Sequence, residues 1–215
     1  MNTFALSRLP PYAEICPPSP PPSETVAASL AQAVEARFPF RHLRLKHFLP
    51  PAVTAALHAL PLAPPEAPVI GEPSGCVAVK RRLRPAGAAA APVSRALAQA
   101  FAADEVAALI ARRTGVEVGG RRVALTVTQE VDGYACEPRT GEGEARFRFI
   151  VGLSPMHQND LGPDLYQGPQ TWALQLPWRP GSAFGFAPAA DTWHGFEPRM
   201  IRHLRACLVV DYLEA

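Results

Sequence analysis

The chain has 215 residues, 48% hydrophobic and 19% charged, with a formal net charge of +2; that is enough apolar material for one full-sized core, so one globular domain with appendages is expected. The small positive balance is spread along the chain, which excludes a broad nucleic-acid-binding field or a basic membrane-surface arm. No apolar run approaches the roughly 18 residues that span a bilayer, and the opening MNTFALSRLPPY has no charged n-region or unbroken apolar h-region, so the expectation is a soluble, cytoplasmic protein.

Many of the 25 prolines fall in Pro10 to Pro22 and in Leu60 to Pro73. Such stretches lack backbone donors and favour extended, solvated connectors. The first could also dock in an aromatic groove of a protein partner. Behind Ser23, a good N-cap residue, Val26, Leu30, Ala33 and Val34 recur at helical spacing. Phe40 to Leu49 alternates apolar and basic residues like a half-buried strand that Pro50 and Pro51 end, and a helix follows over Ala52 to Ala59. Cys76 to Leu83 alternates again, as a second strand. Val93 to Phe101 and Asp104 to Arg113 read as helices, with Gly115 as a left-handed stop.

From Arg121 onward the pattern changes to short β-branched or aromatic runs separated by Gly, Pro, Asp and Asn clusters. Helices followed by evenly spaced short strands predict an α+β protein with a β-sandwich or jelly-roll core. In ARFRFIVGL, Arg146 and Arg148 alternate with Phe147 and Phe149 and read as the strand's polar face. Cys16, Cys76, Cys136 and Cys207 lie far apart in no metal-ligand spacing and read as reduced thiols. The division expected is a proline-rich segment with a short helix over 1–39 and a single domain over 40–215.

The segments PRTGEGEARFRFIVGLSP, GPDLY, PGSAFGFAPAADTWHGFEP and RACLVVDYL occur in that order, and the succession resembles the 2-oxoglutarate and iron(II)-dependent oxygenases of the prolyl 4-hydroxylase-like branch. RFPFRHLRLKHFLPPAVTAALHALP is similar to that family's opening strand and helix. The resemblance implies a double-stranded β-helix, the cupin-like jelly roll, with N-terminal helices packed on one sheet. It also implies a ferrous ion held by two imidazoles and a carboxylate, with positions left open for 2-oxoglutarate and oxygen. His194 matches the distal histidine, and Arg205, eleven residues on, matches the arginine that pairs with the distal carboxylate of 2-oxoglutarate. Arg202 is a less well-spaced rival.

The proximal His-x-Asp pair does not match. Aligning back from Leu153 puts Arg139 and Gly141 at those positions, and a guanidinium has no lone pair to give a metal. Gly152 stands where the pattern has a tyrosine, leaving space in the barrel. Glu137, Glu142 or Glu144 could substitute as a ligand; His157 and Asp160 lie in a following loop. Arg139 and Arg205 could together hold 2-oxoglutarate, another small dicarboxylate or another anion, or Arg139 could simply pair with a nearby acid and fill the vacated cavity. Trp193 and Phe196, which flank His194, read as core aromatics that could instead line a ligand cavity; Glu137 and Trp193 are the pocket candidates.

The expected function is a 2-oxoglutarate/iron(II) oxygenase-like pseudoenzyme, without cofactor, acting as a binding, regulatory or scaffold subunit. The alternative is an active dioxygenase (hydroxylase) that uses Fe(II) and 2-oxoglutarate through irregular ligands. A protein partner engaged by the proline-rich segments suits the first; neither needs nucleic acid or a membrane span.

Overall fold

The computed structural model describes residues 21–58, 79–82, 91–154 and 158–213. Most of both proline-rich stretches, and His157, lie outside these residues. α1 (Pro22–Ala31) begins with a proline at its first position and Pro21 as its N-cap, with no side-chain cap. Ser23 therefore lies inside the first turn instead of capping it, because a proline's preset φ suits the helix start and needs no donor. Val26, Leu30 and Ala33 are buried as their spacing predicts, whereas Val34 opens strand β1 (Val34–Ala36) and is exposed.

β2 (His42–Leu45), α2 (Pro51–His58), β3 (Val79–Arg82), α3 (Ala91–Ala102) and α4 (Asp104–Thr114) follow. α4 carries Asp104 and Glu105 in its first turn and Arg112 and Arg113 in its last, which complements the helix dipole, and it stops at Gly115 with φ +77°. Eight strands complete the chain: β4 (Val123–Glu130), β5 (Cys136–Arg139), β6 (Phe147–Gly152), β7 (Asp164–Gly168), β8 (Thr171–Gln175), β9 (Ala183–Phe186), β10 (His194–Phe196) and β11 (Arg205–Tyr212).

The strands form two antiparallel sheets, one ordered β1-β2-β9-β6-β11-β4-β3 and the other β5-β10-β7-β8. This is the expected α+β jelly roll. The outer face of the larger sheet presents Leu43, Phe147, Phe149, Val151, Leu208 and Val210, which pack in one core with Val26 and Leu30 of α1, Phe101 of α3 and Ile110 of α4. The Tyr212 hydroxyl donates to the Phe101 carbonyl at 2.8 Å, pinning α3 to β11.

Side chains alternate along a strand, so Arg148, Ile150 and Gly152 on β6, and Arg205, Cys207 and Asp211 on β11, face the other way. That face meets the second sheet, not water. Here two apolar clusters fill the sandwich: Tyr134, Cys136, Trp178, Phe196 and Cys207 at one end, and Phe40, Leu165, Leu176, Phe184 and Phe186 at the other. Arg148 lies on the strand's polar face as read, but that face is covered and the residue is only 6% exposed. The cysteine reading is corrected for Cys136, which is disulfide-bonded, and holds for Cys207, a free buried thiol; Cys16 and Cys76 lie outside the described residues. Spacing along the chain does not report which thiols the fold brings together.

Among the described residues no helix is long and apolar enough to cross a membrane.

Candidate functional site

His194 is placed by β10, a short strand in the middle of the smaller sheet, where it lies opposite Arg139 of β5 on one side and Leu165 of β7 on the other. The next residue must be glycine. A Cβ on Gly195 would stand 2.6 Å from the Cys136 carbonyl oxygen and 3.2 Å from the Pro138 nitrogen, so a methyl group would force β5 away from β10. Gly195→Ala is expected to cost about 2 kcal/mol or more, in the range of overpacking changes, with a lower urea midpoint as the readout. An unchanged midpoint would show that β5 is free to move.

The His194 ring is 5% exposed and meets Phe186 edge-on at 4.9 Å. Its Nδ1 lies 2.9 Å from the Thr192 carbonyl oxygen. Because the acceptor is a carbonyl, Nδ1 carries the proton, which leaves the lone pair on Nε2. Nε2 forms no hydrogen bond among the described residues. Burial pushes the imidazole down to about 4; the Thr192 bond opposes this, the charges of Arg148 and Arg139 add to it, and Glu144 opposes it. The ring is neutral at pH 7.

The loop after β5 closes on this histidine. Thr192 Oγ1 donates to the Thr140 carbonyl at 3.0 Å, and Gly141 takes φ +68°, a left-handed conformation that glycine enters without steric cost. A Cβ at Gly141 would lie 3.2 Å from Arg148 Nη1, 3.5 Å from His194 Cε1 and 3.7 Å from Glu144 Oε2. Three groups thus converge on the point where the sequence match places a missing carboxylate.

Arg148 is held on both sides. Its Nε and Nη2 donate to the two Asp211 carboxylate oxygens at 2.7 and 3.1 Å, and Nη2 also meets Glu144 Oε2 at 2.7 Å. Arg139 Nη1 approaches the other Glu144 oxygen at 3.5 Å. Two guanidiniums and two carboxylates therefore form a closed, charge-balanced chain beside His194. Burial raises the Glu144 carboxyl, but Arg148 and Arg139 outweigh it and hold the group below its ordinary value.

The donor set can be tested directly against a ferrous ion. A 2-His-1-carboxylate site needs three side chains with free lone pairs on one face. Around His194 the structure offers one imidazole, two guanidiniums without lone pairs, and a Glu144 carboxylate already shared between those guanidiniums. Among the described residues no group of three or more His, Cys, Asp or Glu side chains is arranged to hold a metal. The residues present do not fit the iron that the fold implies.

Arg205 is separate from this cluster. It opens β11 directly opposite Glu130, the last residue of β4, and both side chains are buried. Its Nη1 donates to Glu130 Oε2 and to Cys207 Sγ at 3.4 Å, and its Nε donates to the Leu161 carbonyl at 2.7 Å. The guanidinium carbon lies 4.5 Å from the centre of the Phe196 ring, 4.8 Å from Trp178 and 5.9 Å from Tyr134. Burial alone would lower this arginine, but Cys207 and Glu130 together raise it further above its ordinary value, so it stays charged. Gly152 leaves no vacant space: Trp178 lies over it, 3.1 Å from where a Cβ would be.

Of the other candidates, Glu137 and Glu142 point to solvent, as do Arg202 and Asp160, while Trp193 is half-buried and its carbonyl accepts from the Tyr166 backbone at 2.9 Å. The structure brings together His194, Arg139, Gly141 and Glu144, and it sets Arg205 apart with Glu130. Arg148, Asp211, Glu130 and Trp178 were not picked out from the sequence. The signal for two of them was there: Arg148 and Asp211 each occupy the second face of a strand whose first face is fully apolar.

No family model matches the sequence, and no curated protein matches it closely. The fold does match solved structures. The chain is similar to a prolyl-4-hydroxylase of Pseudomonas putida, at 14% identity over 90% of this chain and 99% of that one, with a TM-score of 0.59. It is similar to a prolyl hydroxylase of Trichoplax adhaerens solved with a hypoxia inducible factor oxygen degradation domain peptide fragment, at 11% identity over 89% and 88%, with a TM-score of 0.58. A 2OG-Fe(II) oxygenase family oxidoreductase from Burkholderia pseudomallei matches at 12% identity over 92% of each chain, with a TM-score of 0.56. The fold is that of the 2-oxoglutarate and iron(II)-dependent oxygenases. That fold is the one that the order of the sequence segments implied.

Proposed function

We propose that this chain is an oxygenase-fold protein that has given up iron-dependent catalysis and works as a binding, regulatory or scaffold subunit. The observation that carries this reading is the Arg148 guanidinium, fixed by Asp211 and Glu144 next to His194, with Arg139 and Gly141 at the positions of the missing ligands. A permanent cation there repels a divalent metal. It also occupies the carboxylate that could otherwise have served as a substitute ligand.

The partner in this reading is a protein. A neighbour of the same fold holds a peptide, and this chain adds proline-rich stretches within 1–39 and over 61–73, which suit docking in an aromatic groove. The second reading, an active hydroxylase with irregular ligands, draws on one observation: His194 is neutral, its tautomer is fixed by Thr192, and its Nε2 is unpaired, as a ligating histidine requires.

One experiment separates the two. Anaerobic titration of the full chain with ferrous ion is expected to give no stoichiometric binding at micromolar metal, and incubation with 2-oxoglutarate, ferrous ion and oxygen is expected to release no succinate above a protein-free control. Stoichiometric iron with succinate release would establish the active reading instead.

A further inference from the structure

The Arg205 cluster is built differently from the His194 cluster, and the two are filled independently. Arg205 and Glu130 face each other across paired strands, each 4% exposed. The guanidinium is walled by Phe196, Trp178 and Tyr134. Thr128 Oγ1 and Cys207 Sγ, 3.0 Å apart, complete the surround, with Cys207 Sγ 3.8 and 3.9 Å from the two Glu130 oxygens. A guanidinium kept this dry needs a carboxylate partner, and the chain supplies one from the neighbouring strand.

We infer that Glu130 is a built-in occupant of the carboxylate site at Arg205, so that the native chain is closed to 2-oxoglutarate and other small carboxylates there, and that truncating the Glu130 side chain opens the site to them. This deepens the reading of a catalytically silent fold and rests on it. A ligand carboxylate at Arg205 would have to lie against Glu130 in the same apolar enclosure, like charge against like. Displacing Glu130 instead would strand its charge among Tyr134, Phe196 and Trp178, with no second cation among the Glu130 hydrogen-bond partners. Trp178 closes the remaining side: it lies over Gly152, its ring 4.8 Å from the Arg205 guanidinium carbon, and its Nε1 is buried without a hydrogen-bond partner among the described residues. Once the Glu130 side chain is gone, the Arg205 guanidinium is left to donate to an incoming carboxylate.

The test compares the full native chain with Glu130→Ala and Glu130→Gln, in the absence of iron. Melting curves are recorded with sodium acetate, succinate or 2-oxoglutarate against sodium chloride at equal ionic strength. The native chain is expected to show no carboxylate-specific shift. Glu130→Ala is expected to melt lower in chloride and to recover by about 3–5 °C at a carboxylate concentration ten times its Kd, with affinity at least about tenfold tighter than the native chain. Glu130→Gln, which keeps the side chain's shape and so leaves no opening, is expected to show no recovery. Should Glu130→Ala not fold in chloride, refolding from urea with and without succinate reads the same site. Soluble protein recovered only with succinate supports the inference; none under either condition overturns it.

Carboxylate binding by the native chain, or a folded Glu130→Ala with no carboxylate response, would also overturn it. Iron titration keeps the two readings apart. Stoichiometric iron in the native chain together with carboxylate recovery of Glu130→Ala would remove the silent reading and leave the Glu130 inference standing.

Discussion

Lowering the pH from 7 to 4 is expected to remove about 3 kcal/mol of stability through His194 alone. The ordinary imidazole value is 6.5, and burial brings His194 down to about 4 in the folded chain; each pKa unit is about 1.4 kcal/mol. The sign follows from proton counting. Between these values the unfolded chain binds the proton and the folded chain does not, so stability falls as the pH falls. Well above pH 6.5 both states are neutral and the contribution is complete; well below 4 both are charged and no more is lost.

His42 acts in the same direction, since burial also lowers it. Glu144, lowered in the fold, loses its contribution only as the pH drops through its depressed value, below the ordinary 4.5. Urea midpoints across this range measure the slope. In His194→Gln the slope between pH 6.5 and 4 should flatten; an unchanged slope would assign the effect elsewhere.

Asp211→Ala is expected to cost about 3 kcal/mol, the lower end of what breaking a buried pair costs. For a chain of this size that is a fall in Tm of about 6–12 °C. The reason is Arg148: it stays buried and charged, loses both Asp211 bonds, and keeps only Glu144, which is shared with Arg139 and 41% exposed. Replacing both members together, Arg148→Leu with Asp211→Leu, is expected to recover more than half of the loss, because neither charge is then left without a partner in an apolar wall. A Tm within about 2 °C of the native chain for Asp211→Ala would show that the pair contributes nothing and that Glu144 alone suffices.

These two expectations concern residues that differ in how readable they were. His194 stood out because it sits between Trp193 and Gly195 at the right distance before Arg205, and a match in order needs no coordinates. Arg148 did not stand out. In FRFIVG a basic residue between two phenylalanines is the pattern of a strand with one wet face, and the same letters describe a strand with a second sheet over that face. Glu130 was passed over for a related reason: its partner lies 75 positions away and is set by strand register. Glu144 was one of three acids of equal standing until the turn at Gly141 brought it, still part-exposed, onto Arg148 and Arg139.

The sequence by itself determined the helices and the strands β2, β4, β6, β8, β9 and β11, and the jelly-roll class, because those depend on local periodicity, turn residues and the order of motifs; the strands β1, β5, β7 and β10 carry no such period. It also determined that Arg139 and Gly141 cannot supply a metal with ligands, because that is a property of the residue types themselves. Only the tertiary structure decided how the vacated interior is filled. Arg148 entering beside His194, Trp178 covering Gly152 and Glu130 taking Arg205 all depend on which faces two sheets turn toward each other. A buried charge selects its partner by distance in space, and that distance is set by the pairing of strands far apart in the chain.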